Sequence, residues 1–259
     1  HMDLTLHVDF QRKVIAGSAD LNATPLLDKA SALVLDTRDL DIAAVQVNGL
    51  NAPFSLGEAH AALGSALRTT MPRAARGKKA KVSVHFATSP ESTAVQWLEP
   101  DQTADKKHPY LFTQCQAIHA RSLIPCQDTP AAKMTYSAEV TVPQELRALM
   151  SAMPQNSGNP RKGPAGTFTF MFNQRVPIPS YLVALAVGNL ESREIGPRSR
   201  LWSEPSVVEK GAWEFAETED YLSHAESIAG EYLWGIYDLL LLPPSFPYGG
   251  MENPCLTFV

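Results

Sequence analysis

The sequence has few charged side chains, few cysteines and no long apolar run. Lysine, arginine, aspartate and glutamate make up 19% of the 259 residues, and the formal net charge is -5. Without a long basic stretch the chain lacks the electrostatic basis for binding nucleic acid or an anionic lipid surface. Its longest apolar run, Tyr181–Val187, falls far short of the about 20 residues that span a bilayer. We therefore expect no nucleic-acid partner and no membrane partner.

Cysteine is scarce as well, with only Cys115, Cys126 and Cys255. An odd number of cysteines without a C-x-x-C pair is typical of reduced thiols in the cytosol, and one disulfide with one free thiol is the alternative. After His1-Met2, which is typical of a cloning remnant, strand-like sequence begins without the features of a signal peptide. We expect a cytoplasmic location.

The common catalytic motifs are also absent: GxSxG, the Walker loop, GxGxxG and HExxH do not occur. His119 beside Arg121 is a candidate general base, although a lone histidine in a strand or turn more often has a structural role. His224 and Glu226 are two positions apart on a predicted helix. Their side chains therefore point about 200° apart, and the two residues cannot share a metal.

The first 190 residues carry the period-two pattern of half-buried strands. Apolar residues make up 44% of the chain, enough for a packed core. Asn48-Gly49 predicts a tight hairpin turn, because both residues tolerate a positive φ. Residues 154–166, rich in Pro, Gly and Asn, predict a mobile surface loop. Alternation predicts strands around Leu4–Phe10, Val82–Phe86, Tyr136–Val142 and Phe168–Phe172, and a fully buried strand at Tyr181–Val187.

Beyond residue 205 the apolar period becomes helical. Ser206 with Glu209 fits a capping box that starts one helix, and Thr218 fits the cap of a second, which Gly230 can end. The change from strands to helices places a domain boundary at residues 190–200. The apolar faces of the two helices are Val208, Ala212 and Phe215, and Leu222, Ala225 and Ile228.

Two segments suggest substrate binding. In "YLFTQCQAIHARSLIPCQDTP", the amides of Gln114 and Gln116 would share one face of an extended chain. In "FPYGGMEN", Gly249 and Gly250 leave room for another backbone, as on an edge strand that receives a peptide, and Glu252 could then hold an ammonium group. The alternative is a glycine turn followed by a solvated carboxylate.

The same segments resemble a known family. "FPYGGMENPCLTFV" is similar to the exopeptidase signature of zinc aminopeptidases related to aminopeptidase N and aminopeptidase B, with Gly250 where alanine is commoner. "TQCQAIHARSLIPCQDTP" resembles another signature of that family, and "VPIPSYLVALAVGNLESREIGPRSRLWSE" resembles a bifunctional branch. The resemblance covers essentially the whole chain.

The resemblance implies a fold and a domain order. Residues 1–190 would form a mainly β N-terminal domain with mixed and antiparallel, saddle-like sheets. Residues 191–259 would begin an α/β thermolysin-like zinc peptidase domain, truncated before its HExxH helix. The segment Arg121–Asp128 would be structural.

The resemblance also implies a site and its partners. Glu252 would be the catalytic-site carboxylate that binds a peptide's α-ammonium, and Gln116 would assist it. The other substrate-binding residues would be Gln114, Tyr248, Gly249, Gly250 and Met251. Zn²⁺ would be bound only in the full-length protein, since no residue of this chain belongs to the family's ligand set.

We expect the full-length protein to remove N-terminal residues from peptides and to hydrolyse a lipid epoxide, and we expect this chain alone to be inactive. Its partners would be peptide N termini, the lipid epoxide, and its own missing catalytic and C-terminal domains. The alternative is a non-catalytic β-sheet module that binds peptide or protein.

Overall fold

The computed structural model describes residues 1–25, 30–164 and 166–259. Strands dominate, with 44% of residues against 13% in helices. The strands are β1 (Met2–Asp9), β2 (Val14–Ala23), β3 (Ala32–Thr37), β4 (Asp41–Val47), β5 (Leu50–Asn51), β6 (Phe54–Leu56), β7 (Ser65–Thr70), β8 (Ala80–Ala87), β9 (Val95–Leu98), β10 (Tyr110–Thr113), β11 (Met134–Pro143), β12 (Arg147–Met150), β13 (Met153–Pro154), β14 (Arg161–Lys162), β15 (Thr167–Ile178), β16 (Leu185–Gly188), β17 (Glu191–Gly196), β18 (Ser199–Ser203), β19 (Asp238–Leu240) and β20 (Leu256–Phe258). The helices are α1 (Val208–Glu214) and α2 (Thr218–Ala229), with 3-10 turns at Arg73–Ala75, Pro100–Gln102, Ala120–Ser122, Asn156–Gly158 and Ser180–Leu182.

The chain forms two compact units, each assembled from separate stretches of sequence. Unit 1 comprises His1–Gln96, Gln114–Thr141 and Pro177–Tyr181. Unit 2 comprises Trp97–Thr113, Val142–Val176 and Leu182–Val259. The mainly β architecture with mixed and antiparallel sheets is confirmed. The division into domains at residue 190 stays a prediction.

Unit 1 contains two sheets. In the larger sheet, β11, β1, β2, β8, β4 and β5 lie side by side in that order, and β1 and β11 run parallel. In the smaller sheet, β7 lies between β3 and β6. The predicted alternation is confirmed on β1 and β8, because every second side chain is buried in the core. The hairpin predicted at Asn48-Gly49 is confirmed too, with φ values of 51° and 79° between β4 and β5.

In unit 2, β16 lies between β12 and β10, and a second sheet has the order β17, β18, β19, β20. β13 and β14 each pair with β15. The predicted loop of residues 154–166 thus contains the end of β13 and all of β14, and its Ala165 lies outside the described residues. The predicted buried strand starts at Leu185 rather than Tyr181, because Ser180–Leu182 forms a 3-10 turn, and all four residues of β16 are buried.

The start of α1 differs from the prediction. The capping box of Ser206 and Glu209 is wrong, since α1 begins at Val208 without a side-chain cap. The backbone N–H of Ser206 donates to Asp105 at 3.0 Å, and the carboxylate of Glu209 accepts from Arg193 at 2.6 Å. Contacts with residues distant in sequence have therefore replaced the local cap.

Helix α2 matches the prediction at its end but not at its start. Thr218 is its first residue, and its hydroxyl donates to the carbonyl of Phe215 instead of capping the helix. Gly230 ends the helix with φ 90°, as predicted. Of the predicted apolar face only Leu222 is buried, and Ile228 is 88% exposed. Among the described residues, no helix is long and apolar enough to cross a membrane.

The segment 121–128 in unit 1 is held by a buried ion pair. Arg121 donates from Nε to the carboxylate of Asp128 at 2.9 Å, and side-chain exposure is 7% and 1% respectively. The hydroxyl of Ser180 donates to the second oxygen of Asp128 at 2.7 Å, and Arg121 also donates to the carbonyl of Leu63. The structural role expected of this segment is confirmed by these internal contacts.

Replacing one partner of this pair should be strongly destabilising. We expect Asp128→Ala to lower the free energy of unfolding by about 3–5 kcal/mol, because the buried guanidinium loses its closest carboxylate and keeps only Asp36 at 3.8 Å. Asp41→Ala, at an exposed position of the same unit, should change it by less than about 0.5 kcal/mol. Denaturant unfolding checks both variants, and equal small losses would show that the ion pair does not hold the segment.

Candidate functional site

The segment with Gln114 and Gln116 belongs to unit 1 and is less extended than predicted. Strand β10 ends at Thr113, and the backbone N–H of Gln114 donates to the carbonyl of Ala94 at 2.8 Å. The chain then turns, since the N–H of His119 donates to the carbonyl of Cys115 at 2.9 Å. The two amides therefore do not lie on one extended strand. Gln114 is half-buried and Gln116 is exposed.

The other predicted site residues lie in unit 2, after the Pro243-Pro244 stretch that follows β19. The ring of Phe246 packs edge-on against three aromatic rings, with centroid distances of 5.6 Å to Phe112, 5.9 Å to Tyr248 and 6.0 Å to Phe258. Such edge-to-face contacts stabilise aromatic clusters. They fix the start of the glycine segment, while the Tyr248 side chain stays 54% exposed.

Met251 joins the glycine segment to the last strand by backbone hydrogen bonds. Its N–H donates to the carbonyl of Phe258, and the N–H of Phe258 donates back to the Met251 carbonyl, both at 2.9 Å. The side chains of Met251 and Asn253 are buried at 4% and 3% exposure, whereas Glu252 between them is exposed. Because successive side chains of extended chain point to opposite sides, the pairing of Met251 turns the Glu252 carboxylate to solvent.

The Glu252 carboxylate has no hydrogen-bond or ion-pair partner among the described residues. A free carboxylate next to a backbone that is fixed by pairing can accept the N–H groups of a cation. The arrangement therefore fits the predicted ammonium site.

An aromatic group that sequence analysis did not single out holds the chain just after Glu252. The hydroxyl of Tyr232 accepts the backbone N–H of Cys255 at 3.1 Å, and its ring contacts Trp234 at 5.3 Å and Tyr237 at 5.5 Å. Burial raises the pKa of Tyr232, and it raises the pKa of the Cys255 thiol to about 12. The spacing of aromatics in "EYLWGIY" was the available signal.

The two glycines have open space around them. A Cβ added at Gly249 would meet nothing within 4 Å, and one at Gly250 would meet only the Phe258 carbonyl oxygen, at 3.5 Å. Neither glycine has a positive φ. At Gly188 in β16, by contrast, a Cβ would lie 2.5 Å from the ring of Tyr110.

The histidines considered as candidates have local hydrogen bonds. Nδ1 of His119 lies 2.9 Å from the hydroxyl of Thr93, and Nδ1 of His224 lies 2.7 Å from the carbonyl oxygen of Asp220. In residues 1–25, 30–164 and 166–259, no group of three or more His, Cys, Asp or Glu side chains could hold a metal ion. The described residues thus do not fit a zinc site.

The predicted site residues fall into two groups. Gln114 and Gln116 belong to unit 1, and the segment from Tyr248 to Glu252 belongs to unit 2. Within unit 2, backbone pairing and aromatic packing bring Tyr248, Met251 and Glu252 onto one fixed segment. Their joint role in binding a substrate stays a prediction.

Comparisons with known proteins agree with the resemblance seen in the sequence. Residues 1–182 match the family model of the peptidase M1 N-terminal domain. The chain is 54% identical over 265 residues to leukotriene A-4 hydrolase of Xenopus laevis, covering 100% of this chain and 42% of that protein. It is 49% identical over 254 residues to leucine aminopeptidase 2 of Yarrowia lipolytica, covering 98% of this chain and 38% of that protein.

Solved structures give the same result. Yeast LTA4 hydrolase superposes with a TM-score of 0.90 at 38% identity, covering 100% of this chain and 40% of that one. The M1 zinc metallopeptidase of Deinococcus radiodurans shares the fold, with a TM-score of 0.76 at 23% identity over 99% of this chain and 58% of that one. The chain therefore spans about two fifths of the length of the curated relatives it matches.

The open space around Gly250 predicts that alanine, the commoner residue in the resembled family, is tolerated at this position. We expect Gly250→Ala to change the free energy of unfolding by less than about 1 kcal/mol, because its Cβ makes an ordinary contact and alanine restricts the unfolded chain. Gly188→Ala should destabilise by about 1–3 kcal/mol, since its Cβ overlaps the Tyr110 ring. Thermal or denaturant unfolding measures both. A loss at position 250 as large as that at 188 would show that the segment is packed more tightly than the structure indicates.

Proposed function

Because the chain belongs to the peptidase M1 family, we propose that it is the N-terminal portion of a zinc aminopeptidase that removes residues from the N termini of peptides. The chain covers 42% of the Xenopus laevis relative and 38% of the Yarrowia lipolytica one. The peptidase activity is thus assigned to the full-length protein. The role of this chain is to bind and orient the amino end of the substrate.

The proposal rests on Glu252, which is exposed and has no partner among the described residues, whereas Met251 and Asn253 on either side of it are buried. A carboxylate in this position can accept hydrogen bonds from a substrate's α-ammonium. Such a charge-assisted contact strengthens where substrate and protein exclude water. Tyr248, Gly249 and Gly250 provide the neighbouring surface, and Met251, whose side chain is buried, fixes the backbone beside it. The glycines leave their backbone groups accessible to a peptide.

Gln116 is proposed to assist in binding the ammonium group. Its side chain is exposed and neutral. The resemblance to zinc aminopeptidases implies a glutamate at this position in many relatives, so the proposed difference is the missing negative charge. An amide oxygen accepts a hydrogen bond from an ammonium group more weakly than a carboxylate does. We therefore propose a weaker amine clamp and a wider range of substrates, with Gln114 nearby in the same segment.

Zn²⁺ is proposed for the full-length protein only. The residues described here do not form a metal site, so no chemical step is assigned to a metal held by this chain. In the proposal, the metal ligands and the general base belong to the part of the relatives' length that this chain does not cover.

A second activity on a lipid epoxide is proposed from the relatives' names. The Xenopus laevis protein and the yeast structure are both named as leukotriene A4 hydrolases. We propose an epoxide of the leukotriene A4 type as the second substrate, and a cytosolic location. The location is supported by Cys115, Cys126 and Cys255, which are all buried and free.

The ammonium site can be tested by removing the charge of Glu252. In the full-length protein we expect Glu252→Gln to lower kcat/KM for aminoacyl-anilide substrates by about 10–100-fold, because one charge-assisted contact to the ammonium is lost. Glu214→Gln is the matched control, since Glu214 is also exposed and lies in α1 of the same unit. An undiminished kcat/KM in the Glu252 variant would remove this residue from the site.

The role of Gln116 can be tested by adding a charge. We expect Gln116→Glu to lower KM for aminoacyl-anilides by about 3–10-fold, since a carboxylate binds an ammonium group more strongly than an amide. Gln127→Glu, at an exposed position of the same unit, adds the same charge as a control. If both variants shift KM equally, the effect is one of net charge, and the proposed contact of Gln116 is wrong.

A further inference from the structure

Unit 2 contains an open cleft of about 790 Å³. Its lining comes from β12, β13 and β15, from β17 and β18, and from the start of β19 and β20. None of the seven predicted site residues lines it. The lining combines apolar side chains with charged ones, and a cleft of this size is typical of small-molecule sites.

One face of the β17–β18–β19 sheet forms part of this cleft. Leu201 and Leu239 point to the other face, where they form a buried cluster with Val208 of α1. Trp202 and Asp238, at the alternate positions, line the cleft, and the indole Nε1 of Trp202 donates to Asp238 Oδ2 at 2.8 Å. The helices thus cover one face of the sheet and leave the other to the cleft.

Arg147 of β12 is the notable side chain of the cleft. Its Cζ lies 5.3 Å from the ring centroid of Phe170 and 5.3 Å from that of Trp202. Its Nη1 donates to the carbonyl of Gly158 at 3.1 Å. Two aromatic faces and one hydrogen bond hold the guanidinium in place, which reduces the entropy lost when it binds a further group.

Arg147 differs from the other arginines of the cleft because it has no carboxylate partner among the described residues. The others form ion pairs: Arg193 with Glu191 and Glu209, Arg198 with Glu219 and Glu226, and Arg200 with Glu194. Burial lowers the pKa of Arg147, and guanidinium groups remain protonated in proteins. Among the described residues, the cleft therefore contains one positive charge that no side chain pairs with.

Asp238 does not compensate this charge. Its Oδ2 accepts from Trp202 and its Oδ1 accepts from the backbone N–H of Arg200 at 3.0 Å, and it forms no ion pair with Arg147. Burial raises the pKa of Asp238 to about 6. Both carboxylate oxygens of Asp238 thus accept hydrogen bonds within the sheet. The N–H groups of Arg147 at Nε and Nη2 have no partner among the described residues, so they remain available to a ligand.

We propose that this cleft binds a small carboxylic acid with an apolar body. The carboxylate accepts hydrogen bonds from the free N–H groups of Arg147, whose planar fork matches the two oxygens of a carboxylate. The apolar body of the ligand packs against Phe172 and Met153, which also line the cleft. Neither the family nor the proposed peptidase activity assigns a ligand to this cleft.

The test measures binding of 4-phenylbutyrate to the full-length protein by isothermal titration calorimetry, with 4-phenylbutyramide as the uncharged probe. We expect Arg147→Gln to weaken binding of the acid by about tenfold or more, since a charge-assisted contact is lost. The amide should bind the unchanged protein at least about tenfold more weakly than the acid. Arg175→Gln is the matched control, because Arg175 is an exposed arginine of β15 that does not line the cleft.

Three results would overturn the proposal. They are no binding of the acid at about 10 mM, equal affinities for the acid and the amide, and equal weakening by Arg147→Gln and Arg175→Gln. If Arg147→Gln unfolds the protein, Arg147→Lys replaces it. Lysine keeps the charge but lacks the planar fork, so we expect the Arg147→Lys variant to bind the acid more weakly than the unchanged protein does. An unchanged affinity would contradict the proposed geometry.

Discussion

The backbone pairing of Met251 with Phe258 is the constraint on which the proposed site depends. Two reciprocal hydrogen bonds of 2.9 Å fix Met251 against the last strand. Because the side chains of Met251 and Asn253 are buried, the residue between them faces solvent, and that residue is Glu252. Tyr232 and Phe246 then support the chain on either side of the pair. The carboxylate is thus placed by its neighbours' burial and not by a contact of its own.

Much of the fold could be predicted from the sequence, because period-two alternation directly reflects which side of a strand is buried. The strands β1 and β8 and the hairpin at Asn48-Gly49 follow from residues that are close together in the chain. Gly230 could likewise be assigned as a helix end, because a positive φ at that point favours glycine. These features depend on local chemistry alone.

Features that depend on distant partners could not be predicted in this way. Ser206 looked like a helix cap, yet its N–H binds Asp105, a residue about a hundred positions earlier. The turn at Gln116 arises from a hydrogen bond between His119 and Cys115 that alternation does not signal. Arg147 lies in an ordinary strand sequence, and it gains its setting only from Phe170 and Trp202. The assembly of each unit from separate stretches is a further result of long-range packing.

We propose that the exposed carboxylate of Glu252 recognises a charged amino end. The most direct measurement compares the dissociation constants of a tripeptide with a free N terminus and of its N-acetylated form on the full-length protein, with the first peptide bond N-methylated to prevent turnover. We expect at least about tenfold tighter binding of the free amine, since acetylation removes the cation. Equal dissociation constants would contradict this role, because they would show that the Glu252 carboxylate does not bind the ammonium group.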